Sequence, residues 1–282
     1  MIETDRRGAL RAGAGLAVAG ALAGCAGGAG SARGADAAGS AGSTGIGPAP
    51  APVRDRPGSP SGRATPSRKA APRPAPAPGR YSGLPGQITH GPRDRPRVAL
   101  TFHGQGDPAT ARALLSTAEN AGAKVTVLAV GSWLDAHPEL ARRILDGGHD
   151  LGNHTQRHLT INELPEADAY AEITGCAERL RRLTGSIGTW FRPSRAETAT
   201  PLVARLARRA GYPHVLSYDV DSLDFTSPGA PAVTRKIAAE VRAGSVVSLH
   251  FGYADTVAAL PAVLEDLERR GLRAVTTTEL LT

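Results

Sequence analysis

The chain has 282 residues, a formal net charge of +7 and only two cysteines, Cys25 and Cys176. All of the excess charge lies in residues 1–89, because residues 90–282 carry 22 basic and 22 acidic side chains. The basic balance is therefore no mark of a nucleic-acid-binding domain, two cysteines rule out a disulfide framework, and the C-terminal part is long enough for one domain with its own core.

Residues 1–25 open with Arg6-Arg7, run through a weakly apolar alanine/glycine stretch and end in Leu22-Ala23-Gly24-Cys25. This is the layout of an export signal, too short and too weakly apolar for a spanning helix. The arginine pair resembles a twin-arginine signal, and the last four residues resemble a bacterial lipoprotein box whose cysteine would be lipidated. The expectation is export and lipid anchoring through Cys25 to the outer face of the cytoplasmic membrane. Residues 26–89 are Gly/Ala/Ser-rich, then Pro/Arg-rich, with no apolar periodicity. Such a segment cannot bury enough surface to offset its chain entropy, so it reads as a disordered tether ahead of a domain over 90–282.

From residue 96 short apolar runs alternate with amphipathic stretches. Strands are expected at 97–102, 124–130, 149–154, 189–193, 214–220, 245–250 and 273–278. Helices are expected at 108–121, 136–146, 166–183, 200–210, 231–242 and 255–270. The alternation implies βα units and a mainly parallel sheet, open or closed into a barrel. His103, His154, Arg192, the Asp219/Asp221/Asp224 group and His250 all stand at or just after the C-terminal ends of expected strands. That edge is where parallel α/β folds build their sites. Within NHTQRHLT, His154 and His158 are four apart, which on a helical turn sets two imidazoles on one face at a separation suited to one metal ion.

Taken in order, LTF with its turn, GNHTQRH, FRP, a D-x-x-D cluster and a last strand ending in His250 resemble the NodB-like polysaccharide deacetylases over about residues 95–280. The resemblance implies a distorted (β/α)7-type barrel and a divalent metal, usually zinc. It also implies removal of N-acetyl groups from amino-sugar polymers such as peptidoglycan or chitin. By position, His154 and His158 would be metal ligands, with Thr155 bracing their loop. Arg192 would orient the catalytic base, Asp224 would orient His250, and His250 would protonate the leaving amine. A metal lowers the pKa of its water and polarises the acetyl carbonyl, and a histidine can deliver the proton.

The chain departs from the family pattern at four places. Thr-Phe-Asp-Asp-Gly, holding base and ligand, becomes Thr101-Phe102-His103-Gly104-Gln105-Gly106-Asp107-Pro108. Arg-Pro-Pro-x-Gly becomes Arg192-Pro193-Ser194-Arg195-Ala196, the groove tryptophan becomes Phe225, and Ser248 replaces the usual leucine. His103 occupies the base's slot. Asp107 could complete an Asp-His-His metal site, or cap the helix that begins at Pro108. Duller roles are expected for Trp133, Trp190, His137, His149 and His214, and a buried thiol for Cys176. The leading expectation is a metal-dependent N-deacetylase, monomeric, with a polysaccharide substrate and no nucleic-acid partner. The alternatives are a catalytically weakened glycan-binding relative and an amidohydrolase of the same fold acting on a small non-sugar substrate.

Overall fold

The computed structural model describes residues 75–282. The expected export signal, Cys25 and most of the tether lie outside the described residues. The described elements are eight strands, β1 (Gln87–Ile88), β2 (Arg97–Gly104), β3 (Thr126–Ala129), β4 (Asp150–Asn153), β5 (Val215–Leu216), β6 (Val220–Asp221), β7 (Val246–His250) and β8 (Arg273–Val275), and eight α-helices. The helices are α1 (Pro108–Asn120), α2 (Gly131–Ala136), α3 (Glu139–Asp146), α4 (Glu166–Thr184), α5 (Pro201–Arg209), α6 (Ala230–Glu240), α7 (Ala254–Arg269) and α8 (Thr277–Leu281).

All named strand pairs are parallel, in the order β4-β3-β2-β7-β6, with β8 pairing the start of β2 and β1 pairing β5. Phe191 supplies a one-residue staple, bridging to Asn153 on one side and Val215 on the other. The β-structure therefore runs on from β4 through Phe191 to β5, and the seven positions β2, β3, β4, Phe191, β5, β6 and β7 describe a distorted (β/α)7 barrel. β2 is its centre: Val98–Phe102 are buried on both faces, as a strand covered by helices on one side and barrel interior on the other requires. The outer layer joins Leu114, Leu115, Leu134, Ile144 and Leu264 from four helices to Val98, Leu100 and Phe102. A further buried cluster joins Ile88, Leu128, Trp190, Leu216 and Val246.

Several local expectations change. The helix expected over 136–146 begins only at Glu139, as α3, and a short helix not expected from the sequence, α2, precedes it, with His137-Pro138 between the two. The strand expected at 189–193 is reduced to Phe191, and that at 214–220 divides into β5 and β6. The tether also stops sooner than residue 89. Tyr81 stacks on Trp190 with ring centroids 5.4 Å apart, its N–H donates to His214 Nε2 at 3.1 Å, and Gln87–Ile88 form β1. The Pro/Gly content around Tyr81, Leu84 and Ile88 hid three apolar side chains that pack into the cluster of Trp190 and Leu216.

Candidate active site

The sheet edge formed by the ends of β2, β4 and β7 carries the chemistry. β2 delivers His103 and then turns through Gly106, whose φ of 102° is open to glycine and whose Cβ, if present, would lie 2.6 Å from Gly252 Cα. Trp133 Nε1 donates to the Gly106 carbonyl at 2.8 Å and holds this turn. Asp107 is exposed and serves as N-cap of α1, accepting from Thr110 N at 2.8 Å and Thr110 Oγ1 at 3.0 Å. These bonds hold its carboxyl below the usual range. It does not join the histidines. Its side chain turns back along α1, the cap geometry that an aspartate before proline favours.

The His154–His158 pair is set by a braced loop, not by the helical turn its spacing suggested. Thr155 and His158 both have left-handed backbones, φ 68° and 58°. Such strain persists only where surrounding bonds fix it. Here Thr155 N donates to Asn153 Oδ1 at 2.8 Å, His158 N donates to Thr155 Oγ1 at 3.2 Å, and Thr155 Oγ1 bonds to Ser194 Oγ at 3.0 Å. Buried Glu172 accepts from Arg157 N and Arg157 Nε at 2.7 and 2.6 Å. Thr155 thus braces the loop as expected.

Three imidazole nitrogens converge. His154 Nδ1 donates to the Arg192 carbonyl at 3.0 Å, leaving its Nε2 with a lone pair. That Nε2 lies 2.8 Å from His103 Nδ1 and 3.2 Å from His158 Nε2. Burial, followed by the charges of neighbouring imidazoles and Arg192, keeps His103 and His154 well below the usual histidine pKa. Burial and the nearby Arg195 bring His158 to about 4. All three are neutral at pH 7, the state a metal ligand needs. One ligand atom from each lies within 4.8 Å of the other two. Three histidines are a set that zinc accepts, and two nitrogens on one tetrahedral zinc stand about 3.3 Å apart. The donor set therefore fits a divalent ion. Gly104, in the slot where the family has its ligand aspartate, cannot contribute: a Cβ there would meet Val127 Cγ1 at 2.8 Å and Ala129 Cα at 3.0 Å.

Arg192 is fully buried, and its side chain bonds to neutral groups: Leu216 O at 3.2 Å, Ser217 O at 3.0 Å and His103 Nε2 at 3.3 Å. Burial lowers its pKa to about 10, so it remains a cation at neutral pH. Tyr218 lies across its guanidinium, 5.3 Å from ring centroid to Cζ. On the facing strand, His250 Nδ1 donates to Asp224 Oδ1 at 2.7 Å, and its backbone N–H donates to Oδ2 at 2.8 Å. Thr256 Oγ1 adds a 2.6 Å bond to Oδ2, so Asp224 is buried and saturated by donors. The His250 ring stacks on His103, centroids 4.3 Å apart. Phe225 and Tyr253 stand edge-on to it at 5.5 and 5.8 Å.

His103, His158, His250, Phe225 and Tyr253 line a groove of about 380 Å³ that also receives Arg195, Tyr218 and Asp221, while His154, Arg192 and Asp224 lie buried behind it. Sequence reasoning reached His103, His154, His158, Arg192, Asp224 and His250, and the structure brings all six together. It missed Tyr218, Tyr253 and Arg195 as groove residues, and it missed that Ser248 touches His103. Asp219 belongs elsewhere, binding Arg93 Nη2 at 2.7 Å and Val246 N at 2.8 Å. Trp190, His149 and His214 are structural: Trp190 meets Tyr81, His149 meets Glu119, and His214 meets Tyr81 N.

The family described as polysaccharide deacetylase matches residues 90–215. A peptidoglycan-N-acetylglucosamine deacetylase of Bacillus cereus is 29% identical over 194 residues, covering 67% of this chain and 90% of that protein. A chitooligosaccharide deacetylase of a Bradyrhizobium strain is 26% identical over 197 residues, covering 62% and 85%. A pseudoenzyme of carbohydrate esterase family 4 from Bacillus anthracis, 21% identical, superposes with a TM-score of 0.66 over 71% of this chain and 70% of its own. Over this stretch the chain is similar to the polysaccharide deacetylases, and its barrel has the fold of the carbohydrate esterase family 4 structures.

Proposed function

We propose that the protein is a metal-dependent hydrolase that removes N-acetyl groups from amino-sugar polymers of the peptidoglycan or chitin type. The observation that carries this reading is the pairing, across one groove, of a convergent three-imidazole cluster with a histidine backed by a buried carboxylate. His154 and His158 would hold the ion, and His103, which stands nearest, offers the third donor. When bound, zinc or a similar ion polarises an acyl carbonyl and acidifies a water. A His103 nitrogen that ligates gives up its lone pair and cannot also serve as the base, the role its slot suggested. His250 remains for proton transfer. Asp224 holds its Nδ1–H, so Nε2 carries the lone pair; it can take the proton lost by the attacking water and return it to the leaving nitrogen. The products are acetate and a free amine, and the protons balance. Phe225 and Tyr253 offer flat apolar faces beside His250 on which a sugar ring can rest.

Export and lipid anchoring at Cys25 complete the proposal, on the strength of Arg6-Arg7 and the LAGC tetrapeptide, and would place the groove at the cell surface beside such polymers. Acetate release from peptidoglycan and from chitin oligomers, measured with added zinc and with chelator, tests the enzymatic reading; metal-stimulated release is expected. A second reading is favoured by the absence of a carboxylate at positions 103 and 104. A site that binds glycan without hydrolysing it would retain chitin oligomers yet release no acetate with any divalent ion.

A further inference from the structure

Two of the departures from the family pattern touch each other. His103 stands where an aspartate is usual and Ser248 where a leucine is usual, and His103 Nε2 lies 3.0 Å from Ser248 Oγ. The contact follows from register, since β2 and β7 pair Thr101 with Ser248 and His103 with His250. Ser248 is 1% exposed, and among the described residues His103 is the hydrogen-bond partner of its hydroxyl. A hydroxyl that faces a single imidazole nitrogen in a dry position is there for that nitrogen.

The same Nε2 also faces Arg192 Nη1 at 3.3 Å. Arginine has donors and no acceptor, whereas a serine hydroxyl can donate or accept. Two proton arrangements of the neutral ring follow. With the proton on Nδ1, Nε2 accepts from Arg192 and Nδ1–H donates to His154 Nε2; His103 then has no lone pair toward the cluster. With the proton on Nε2, Nδ1 presents a lone pair to the point where His154 and His158 converge. In that arrangement Nε2–H needs an acceptor, and Arg192 can offer only another N–H. Ser248 Oγ is the acceptor within reach.

We infer that Ser248 is a positioning residue that accepts the Nε2–H of His103, holds the ring in the tautomer with a bare Nδ1, and so makes His103 the third metal ligand. The inference rests on the metal-dependent reading above. A leucine at 248 would leave Nε2–H against the arginine, so the replacement at 248 makes the replacement at 103 useful. Orienting partners of this kind typically change metal affinity by about 10–100-fold.

Cobalt(II) titration of the purified protein, followed by the visible absorption of the bound ion, tests this without reference to turnover. Wild type is expected to take one ion per chain. Ser248→Ala should bind about 10–100-fold more weakly, His103→Ala at least as weakly, and Ser248→Thr, which keeps the hydroxyl, close to wild type. Ring nitrogen shifts in 15N-histidine protein loaded with zinc should place the His103 proton on Nε2 in wild type. Wild-type affinity in Ser248→Ala, or a zinc-loaded His103 protonated on Nδ1, would overturn the role of Ser248. Wild-type protein that takes up no cobalt would instead overturn the metal-dependent reading itself, and this inference with it. The nitrogen shifts keep the test decisive should Ser248→Thr not fit the buried strand.

Discussion

The groove holds two sets of histidines that share a wall and differ in one respect. His250 keeps a carboxylate: Asp224 is buried beneath it and takes bonds from the ring, the backbone N–H and Thr256. His103, His154 and His158 have none; among the described residues no carboxylate oxygen bonds to any of them, or to Arg192 behind them. The difference matters because a buried cation or metal without an anion is costly, whereas one with an anion within reach is not. The cluster is thus a strongly electropositive site once an ion is bound, with Arg192 unable to lose its proton near neutral pH. Such a site favours an anionic species inside it, including hydroxide or a carboxylate product. The His250–Asp224 pair holds the buried carboxylate that the cluster lacks. A carboxylate stands behind His250, and none stands beside the three converging imidazoles.

The largest effect should come from removing the centre of the cluster. His154 Nε2 meets both other imidazoles, and its Nδ1 ties to the Arg192 carbonyl. His154→Ala is expected to weaken metal binding by well over the roughly 10–100-fold that loss of a ligand's orienting partner causes, and to abolish acetate release. Retained metal in this variant would show that the ion sits elsewhere. Next, His250→Ala should lower turnover by about 10²–10⁴ while leaving metal affinity unchanged. Asp224→Asn should act in the same direction, since it leaves Nδ1 without its anionic acceptor. A loss of metal in His250→Ala would dissolve the distinction between the two sets.

A weaker effect separates the sets by pH. Folded pKa values of the cluster are depressed, with His158 at about 4 and His103 and His154 well below the ordinary value. An unfolded histidine titrates at about 6.5. Above that value both states are neutral and the cluster's contribution is complete. Below it the unfolded chain binds more protons, so stability is lost as pH falls from about 6.5 toward 4. Thermal unfolding of chelator-treated protein between pH 7.5 and 4.5 should show this loss, and His158→Gln should show less of it. Equal pH dependence in both proteins would mean that the cluster is protonated in the folded state.

Much of the architecture was legible because βα alternation and the polar strand ends are periodic signals that tertiary packing did not override. His103, His154, Arg192 and His250 could be placed at one sheet edge from sequence alone, because a parallel sheet sends all its strand ends the same way. What stayed hidden depends on pairs distant in sequence. Ser248 and His103 are 145 positions apart, and only strand register joins them. Phe191 carries a strand's place in the barrel with one residue, too short for any periodicity to register. Tyr81 sits in a stretch whose composition reads as tether, yet its ring finds Trp190. The loop that joins His154 to His158 mimics helical spacing with two left-handed residues, a geometry that no residue type in it announces.

The smallest effect concerns a carboxylate that belongs to neither set. Asp107 could have restored the missing anion, since it follows the shortened motif by only a few residues and two glycines precede it. Instead its oxygen accepts from the Thr110 backbone and hydroxyl at the start of α1, in full solvent. An asparagine can accept the same backbone bond, while an alanine cannot. Asp107→Asn should therefore leave cobalt affinity and acetate release at wild-type levels and change the melting temperature little. Asp107→Ala should also keep its metal, and lose the cap at a cost of about 2–4 °C in melting temperature for a domain of this size. If instead Asp107→Ala lost metal while Asp107→Asn lost it in part, the turn must swing inward on metal binding. The cluster would then have its carboxylate after all, and the contrast with His250–Asp224 would fall.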